Sequence, residues 1–522
     1  MNDIQMYNQW QSQGPMMPPQ PPLPMWQRGM NGAIPKWLSQ YAIAVYVLAL
    51  LVVTGIYSAY SLPWYYMLSG VVAILVFFLY GSTLIKNTSL VKIHKEKRFE
   101  KRIFLIAFVP RVIWMVLIYI IFMKTYESPF GFENADATFY DSLGQDFAVA
   151  IRNGNFIRQF RQFNEIFDLS DIGNGAYMGL IYWLTGSNGS VNSGGMIGGD
   201  NFSIFVLRFI KCIWSSLTVL LIYRIAKRNF GEQIGRMAAV FCALWPNFWY
   251  YSGCHLKETE MTFLGVLFVE QADQMLRSRQ FTAWKIIPIL LIAAALFTVR
   301  TPLALVALLS LLFSITMASA RVVNWGKRII VGGLAIILIG VTMGNSIIEE
   351  SRGLINTVQS GEQEQNMEWR TRRAHGNSFA KYAGKSVFAP LIFTIPFPSM
   401  VRPFDGQEQQ QLLNGGNFVK NIMSAFTIFA MFILLMSGEW RDHLLPLSFL
   451  LGYLVVLTMS TFAQSERFHQ PAMPFEFMFA AYGLSIAVTK KKYKRWFTYW
   501  CVLMFVAAIA WSWFKLAGRG LG

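Results

Sequence analysis

Long apolar runs, separated by short polar or basic segments, recur along almost the whole chain. A helix needs about 20 apolar residues to cross the hydrocarbon core of a membrane, and only a helix satisfies all of its backbone hydrogen bonds within one segment there. The pattern predicts an all-α polytopic membrane protein with about 13 spans. The predicted spans are residues 40–61, 64–85, 103–123, 202–225, 234–252, 259–276, 286–299, 302–320, 329–347, 419–436, 443–461, 474–488 and 496–515.

Basic clusters fall on alternate sides of successive spans when the N-terminus is cytoplasmic. One orientation therefore satisfies the positive-inside rule along the chain. It places two long segments, residues 124–201 and 348–418, on the non-cytoplasmic face, where we expect short helices and function. The clusters are residues 92–102, 224–236, 277–285, 321–328 and 490–495.

The composition is typical of an integral membrane protein. Hydrophobic residues make up 54% of the sequence and charged residues only 14%, about half the charged share of a soluble domain. The net charge of +17 is spread over short clusters between spans, which indicates membrane topology and no nucleic-acid partner. The four cysteines lack the spacing of a disulfide framework or a zinc site.

The domain organisation follows from the same pattern. Residues 1–38 are rich in Pro and Gln and predict a disordered cytoplasmic tail without a signal peptide. Residues 39–102 hold two spans and a basic loop, and residues 103–489 hold ten spans and the two long external segments. Residues 490–522 add a basic loop and a last span.

The first external segment places two carboxylates just beyond the third span. Asp136 and Asp141 are both candidates for a general base, and Tyr140 shares a face with Asp136 if the segment is helical. Acidic residues also begin helices, where they complement the dipole, so both interpretations stay open. Apolar side chains spaced from Tyr140 to Phe163 indicate an amphipathic helix at the membrane interface.

The turn between the fifth and sixth spans forms a second constellation. It sets His255, Lys257, Glu258 and Glu260 at the outer membrane boundary, after an aromatic approach. A simple surface turn is also polar. The short length and the mixed charges favour a lined cavity.

Several cations are predicted at or below the outer interface. An ionised group at the centre of a span costs about 2.5–3.5 kcal/mol even on a lenient scale, although snorkelling accounts for single cases. Together they suit the phosphate or diphosphate of a lipid carrier. The predicted phosphate ligands are Arg208, Lys211, His255, Lys257, Arg300 and Arg467, with Tyr140, Glu258 and His469 in the substrate pocket.

The second external segment, residues 348–418, mixes charged and proline-rich stretches. It could close over an acceptor, or it could be a loop with no contact to the chemistry. The sequence does not choose between these.

Four passages resemble the GT-C superfamily of polytopic glycosyltransferases, in particular the bacterial branch of protein O-mannosyltransferase and aminoarabinose-transferase relatives. They are D-A-T-F-Y from Asp136 with R-N-G-N-F downstream, L-R-F-I-K from Leu207 through Gly231, the turn from Trp245 to Glu258, and S-E-R-F-H-Q-P-A-M-P from Ser465. Their shared order and topology carry the resemblance over residues 103–489. The two additional spans before this region, and the second carboxylate at Asp141, depart from the family pattern.

The resemblance implies a polyprenyl-phosphate-linked sugar as donor and Asp136 as the catalytic carboxylate. Asp136 would deprotonate a hydroxyl of a glycan, lipid or protein acceptor, and inversion is expected because no second carboxylate is placed as a nucleophile. Some relatives use a divalent metal, but no dense set of ligands marks one here. The expected location is a bacterial cytoplasmic membrane, with the active site facing outside.

Two other functions fit parts of the pattern. A polymerase or ligase that uses lipid-diphosphate-linked glycans would also carry arginines and a large external loop. A lipid or solute transporter would bind near the midplane, commonly between internal repeats, and the sequence has no convincing repeat.

Overall fold

The computed structural model confirms the all-α prediction. It describes residues 34–56, 61–89, 96–167, 169–192, 194–278, 283–320, 408–459, 466–489 and 495–504, with a few single positions outside these ranges. Six helices in these ranges are long and apolar enough to cross a membrane, and three shorter helices are also apolar. The predicted tail, the predicted span at 329–347 and most of the second external segment lie outside the described residues.

The two additional N-terminal spans pack into the bundle. Gly70 lies directly against Gly415 of a later helix, and the Tyr46 hydroxyl bonds to the Asn414 side chain. Because glycine has no Cβ, the two backbones approach closely here. The elements are α1 (Lys36–Ile56), α2 (Trp64–Leu75), which continues through a π-helical turn (Val76–Tyr80) into α3 (Gly81–Ser89), and α4 (Glu96–Tyr126).

The first external segment folds into three helices and a small hairpin. The predicted continuous helix from Tyr140 to Phe163 is wrong, because the chain turns at Gly154, whose φ of 69° is in the region that favours glycine. Phe147 on one side of this turn packs against Phe160 and Phe163 on the other. The elements are α5 (Asn134–Arg152), α6 (Phe156–Phe167), α7 (Leu169–Thr185), β1 (Ser190–Val191) and β2 (Ile197–Gly198).

The predicted span at 234–252 is two helices. Trp245 has extended backbone angles (φ −70°, ψ 119°), as expected for a residue before proline, and Pro246 begins the next helix. Arg111 of α4 donates hydrogen bonds to the carbonyls of Cys242 and Ala243 at the break. The helices are α8 (Asn201–Phe230), α9 (Glu232–Leu244), α10 (Pro246–Gly253) and α11 (Glu258–Arg277).

Four charged residues near helix ends lie together at one end of the bundle, hereafter the Asp136 face. Asp136 at the start of α5, Lys257 before α11, Arg300 between two helices and Arg467 before the last long helix all lie there. The remaining helices are α12 (Ile286–Val299), α13 (Thr301–Met317), α14 (Glu408–Leu412), α15 (Asn414–Ser437), α16 (Leu444–Met459) and α17 (Met473–Thr489).

Candidate active site

Arg467 joins two carboxylates on the Asp136 face. Its Nη2 lies 2.6 Å from Asp136 Oδ2, and its Nε lies 2.6 Å from Glu258 Oε1. The Glu258 side chain is fully buried, whereas the Asp136 side chain is 51% exposed. Asp136 is therefore the carboxylate of this pair that a substrate can reach.

Lys257 lies beside this pair under the ring of Tyr140. Its Nζ is 5.5 Å from the centre of that ring and forms an ion pair with Asp171 of α7. Burial, followed by the nearby positive charge of Arg300, lowers the pKa of Lys257 to about 7. This lysine therefore changes charge near neutral pH.

Arg300 completes the cationic side of the site. Its guanidinium carbon lies 5.5 Å from the centre of the Phe468 ring, and that of Arg467 lies 4.9 Å from the same centre. Phe468 thus keeps two arginines close together by cation–π contacts. We call the following residues the Asp136 cluster: Asp136, Tyr140, Asp171, Lys257, Glu258, Arg300, Arg467 and Phe468.

Asp141 points away from the Asp136 cluster and is fully buried. It accepts hydrogen bonds from the Tyr182 hydroxyl at 2.7 Å and from the Gly199 amide at 3.0 Å. Its other oxygen accepts one from Asn192 at 3.2 Å. Burial raises the pKa of Asp141, against the opposing effect of these hydrogen bonds. In this arrangement Asp141 holds the hairpin onto α5.

His255 belongs to the same buried network. Its Nε2 lies 3.1 Å from the Tyr182 hydroxyl and 3.8 Å from Asp141 Oδ1. Burial, with the positive charges of Arg208 and Lys211, keeps the pKa of His255 well below its ordinary value. The network ties the helix of Asp136 to the turn that carries Lys257.

Arg208 and Lys211 lie deeper along α8. Arg208 donates a hydrogen bond to the Pro129 carbonyl at 2.6 Å, while its Nε and Nη1 find no hydrogen-bond acceptor among the described residues. Lys211 pairs with Glu260 at 2.9 Å and also bonds to the Leu256 carbonyl. Both side chains are fully buried, and neither contacts the Asp136 cluster.

His469 lies next to Phe468 in a separate buried group. Its Nδ1 is 3.0 Å from Lys420 Nζ, and Lys420 also pairs with Glu466. Of the predicted site residues, the structure thus gathers Asp136, Tyr140, Lys257, Glu258, Arg300 and Arg467, and sets Asp141, Arg208, Lys211, His255 and His469 around them.

Sequence reasoning missed several of these partners. Asp171 and Tyr182 occur in a stretch without a recognisable motif, so no local signal marks them. Arg111 is a charged residue in the middle of the predicted span 103–123, and that position is a signal for a functional or structural role.

The Asp136 cluster holds three cations and three carboxylates, and Asp136 is the most exposed of the carboxylates. Such a site can accept a proton from a hydroxyl and stabilise a phosphate that leaves with negative charge. Among the described residues, no group of three or more His, Cys, Asp or Glu side chains is arranged to hold a metal ion.

Comparison with known proteins points to the same chemistry. A family model described as dolichyl-phosphate-mannose-protein mannosyltransferase matches residues 195–344. The matched segment contains Lys257, Glu258 and Arg300, whereas Asp136 precedes it and Arg467 follows it. No curated protein and no solved structure matches the chain. Together with the apolar spans and the all-helical fold, this match over part of the chain supports a membrane glycosyltransferase of the GT-C type.

Proposed function

We propose that this enzyme transfers a sugar from a polyprenyl-phosphate carrier to an acceptor hydroxyl on the non-cytoplasmic face of a bacterial cytoplasmic membrane. One observation carries the proposal: the half-exposed Asp136 carboxylate is fixed by Arg467, beside Lys257 and Arg300. A base and a phosphate site side by side are what this reaction requires.

The reaction is a single displacement. Asp136 takes the proton of the acceptor hydroxyl as its oxygen attacks the anomeric carbon. The bond from that carbon to the phosphate oxygen breaks, and its electron pair leaves with the polyprenyl phosphate. Because only one bond-forming step occurs at the anomeric carbon, its configuration is inverted. The proton then passes from Asp136 to solvent, which its 51% exposure allows.

The cations act on the leaving group. Arg300 and Arg467 offer planar donors that suit phosphate oxygens, and Lys257 offers a compact charge. Since Arg467 also forms an ion pair with Asp136, its position fixes the distance between the base and the phosphate. This arrangement favours the state in which negative charge has moved to the phosphate.

Arg208, Lys211 and His255 enter the proposal in a different role. Their side chains are buried below the Asp136 cluster, and each contacts groups of the protein itself. Arg208 adds positive charge to the potential at the phosphate site, whereas His255 is neutral because its pKa is lowered and Lys211 is paired with Glu260. We assign direct contact with the donor to Lys257, Arg300 and Arg467.

The test uses the full-length chain in liposomes with a radiolabelled polyprenyl-phosphate-linked hexose. Asp136→Asn should retain its folded state and lose about 10² to 10⁴ in rate. Asp146→Asn is the matched control, because Asp146 is an exposed acid of the same helix outside the Asp136 cluster. Full transfer by a folded Asp136→Asn protein would overturn the proposed base.

The donor class is tested separately. We expect transfer from the monosaccharide lipid phosphate and none from an oligosaccharide lipid diphosphate. The reverse result would favour a polysaccharide polymerase or ligase. Uptake of the lipid without any transfer would favour a transporter.

A further inference from the structure

A cleft on the first external segment lies apart from the Asp136 cluster. It has a volume of about 1250 Å³ and runs between α6, α7 and the turn at Gly154. Small-molecule sites commonly measure about 300–1,000 Å³, so this cleft accommodates a larger ligand. None of the Asp136 cluster lines it.

One wall of the cleft is basic. Arg158 and Arg161, three residues apart on α6, line it with exposed guanidinium groups. Within the described part of the chain neither forms an ion pair. Glu165 lies on the same wall, so the wall keeps a net positive charge. The opposite face of α6 is occupied, because Phe160 and Phe163 pack against Phe147.

The other wall is apolar and continues beyond the cleft. Tyr177 and Leu180 of α7 line it, and Leu180, Trp183 and Leu184 form an exposed strip at helical spacing. The Leu184 side chain is 68% exposed. α7 packs against the apolar helix α12, and an exposed apolar strip beside such a helix suits the membrane interface, where tryptophan is enriched.

We infer that the cleft binds an anionic glycerophospholipid of the outer leaflet. Arg158 and Arg161 hold the headgroup phosphate, and an acyl chain follows the strip from Leu180 to Leu184. Two exposed arginines that pair with no acid among the described residues lie beside an exposed apolar strip, and this combination suits the phosphate and acyl chain of such a lipid. The inference concerns lipid binding and stands independently of the sugar transfer proposed above.

The test measures lipid retained by the full-length protein in non-ionic detergent, by native mass spectrometry. The wild type should retain phosphatidylglycerol in preference to phosphatidylcholine of the same acyl chains. One basic residue near a membrane surface contributes about a fivefold change in affinity. Arg158→Gln and Arg161→Gln should therefore each weaken retention about fivefold, and the double variant about 25-fold.

Two further variants control the experiment. Lys124→Gln removes an exposed charge at the end of α4, outside the cleft, and should leave retention unchanged. The double change to lysine keeps both charges, should fold as the wild type does, and should recover part of the retention.

Three results would overturn the inference. The first is equal retention of both phospholipids by the wild type. The second is unchanged retention by the folded double glutamine variant. The third is preferential displacement of phosphatidylglycerol by polyprenyl phosphate in the wild type alone, which would assign the cleft to the carrier.

Discussion

The guanidinium of Arg467 touches the Asp136 carboxylate at 2.6 Å, although the two residues lie 331 positions apart in the sequence. The same group contacts Glu258, which is fully buried. Arg467 therefore has two separable functions: it neutralises a buried charge, and it fixes the position of the accessible carboxylate.

A double substitution separates these functions. Arg467→Gln should destabilise the protein by about 3–5 kcal/mol, because it leaves Glu258 charged and buried without its partner. Adding Glu258→Gln removes that charge and should restore most of the thermal stability. Transfer activity should stay low in both variants, since neither keeps the guanidinium that fixes Asp136. Thermal unfolding and transfer assays on the same samples check this. A double variant as unstable as the single one would contradict the assigned burial effect.

Lys257 should give the reaction a pH dependence. Burial lowers its folded pKa to about 7, so the charged form prevails below that pH and is lost as the pH rises. We expect donor affinity, measured as KM for the lipid phosphate, to weaken about tenfold for each pH unit above the titration. Lys257→Arg keeps its charge throughout this range and should flatten the profile. A profile that falls equally steeply in both proteins would assign the titration to another group.

Much of the fold could be predicted from the hydrophobic pattern. Each span must be long and apolar to cross the hydrocarbon core, and that requirement is visible within its own segment of sequence. The positions at which a predicted span is interrupted were harder to predict than the spans themselves. The single predicted span at 234–252 is interrupted at Trp245, where Pro246 alone was a local signal, and the carbonyls freed there are bonded by Arg111 from a distant helix.

The candidate site was predicted in part for a similar reason. Cations near span ends are visible in the sequence, and three of them meet at the Asp136 cluster. Spacing alone left both Asp136 and Asp141 as candidate bases, but residues five apart on a helix point about 140° away from one another. Their separation therefore follows from helical geometry. The partners Asp171 and Tyr182 depend on tertiary packing, which no local spacing encodes.

Tyr182 should affect catalysis only by holding other side chains in position. Tyr182→Phe removes a hydroxyl that bonds to Asp141 at 2.7 Å and contacts His255 at 3.1 Å. Leaving these buried groups short of a partner should cost about 1–3 kcal/mol of stability. Because the change loosens the link between α5 and the turn of Lys257, kcat should fall more than donor affinity. A larger effect on KM than on kcat would argue against this role.

The contact between α2 and α15 tests whether the two additional N-terminal spans support the catalytic region. A Cβ on Gly415 would come within 2.7 Å of the Gly70 Cα, and backbone cannot move aside as a flexible side chain can. Gly415→Ala should therefore destabilise the protein by about 1–3 kcal/mol through overpacking. Gly55→Ala is the matched control, since no atom of the described residues lies within 4 Å of the position of its Cβ, and alanine should stabilise that helix by about 0.5–1 kcal/mol. Thermal unfolding of both variants beside the wild type measures the difference. If both substitutions stabilise the protein, the close packing of α2 on α15 does not hold in the membrane.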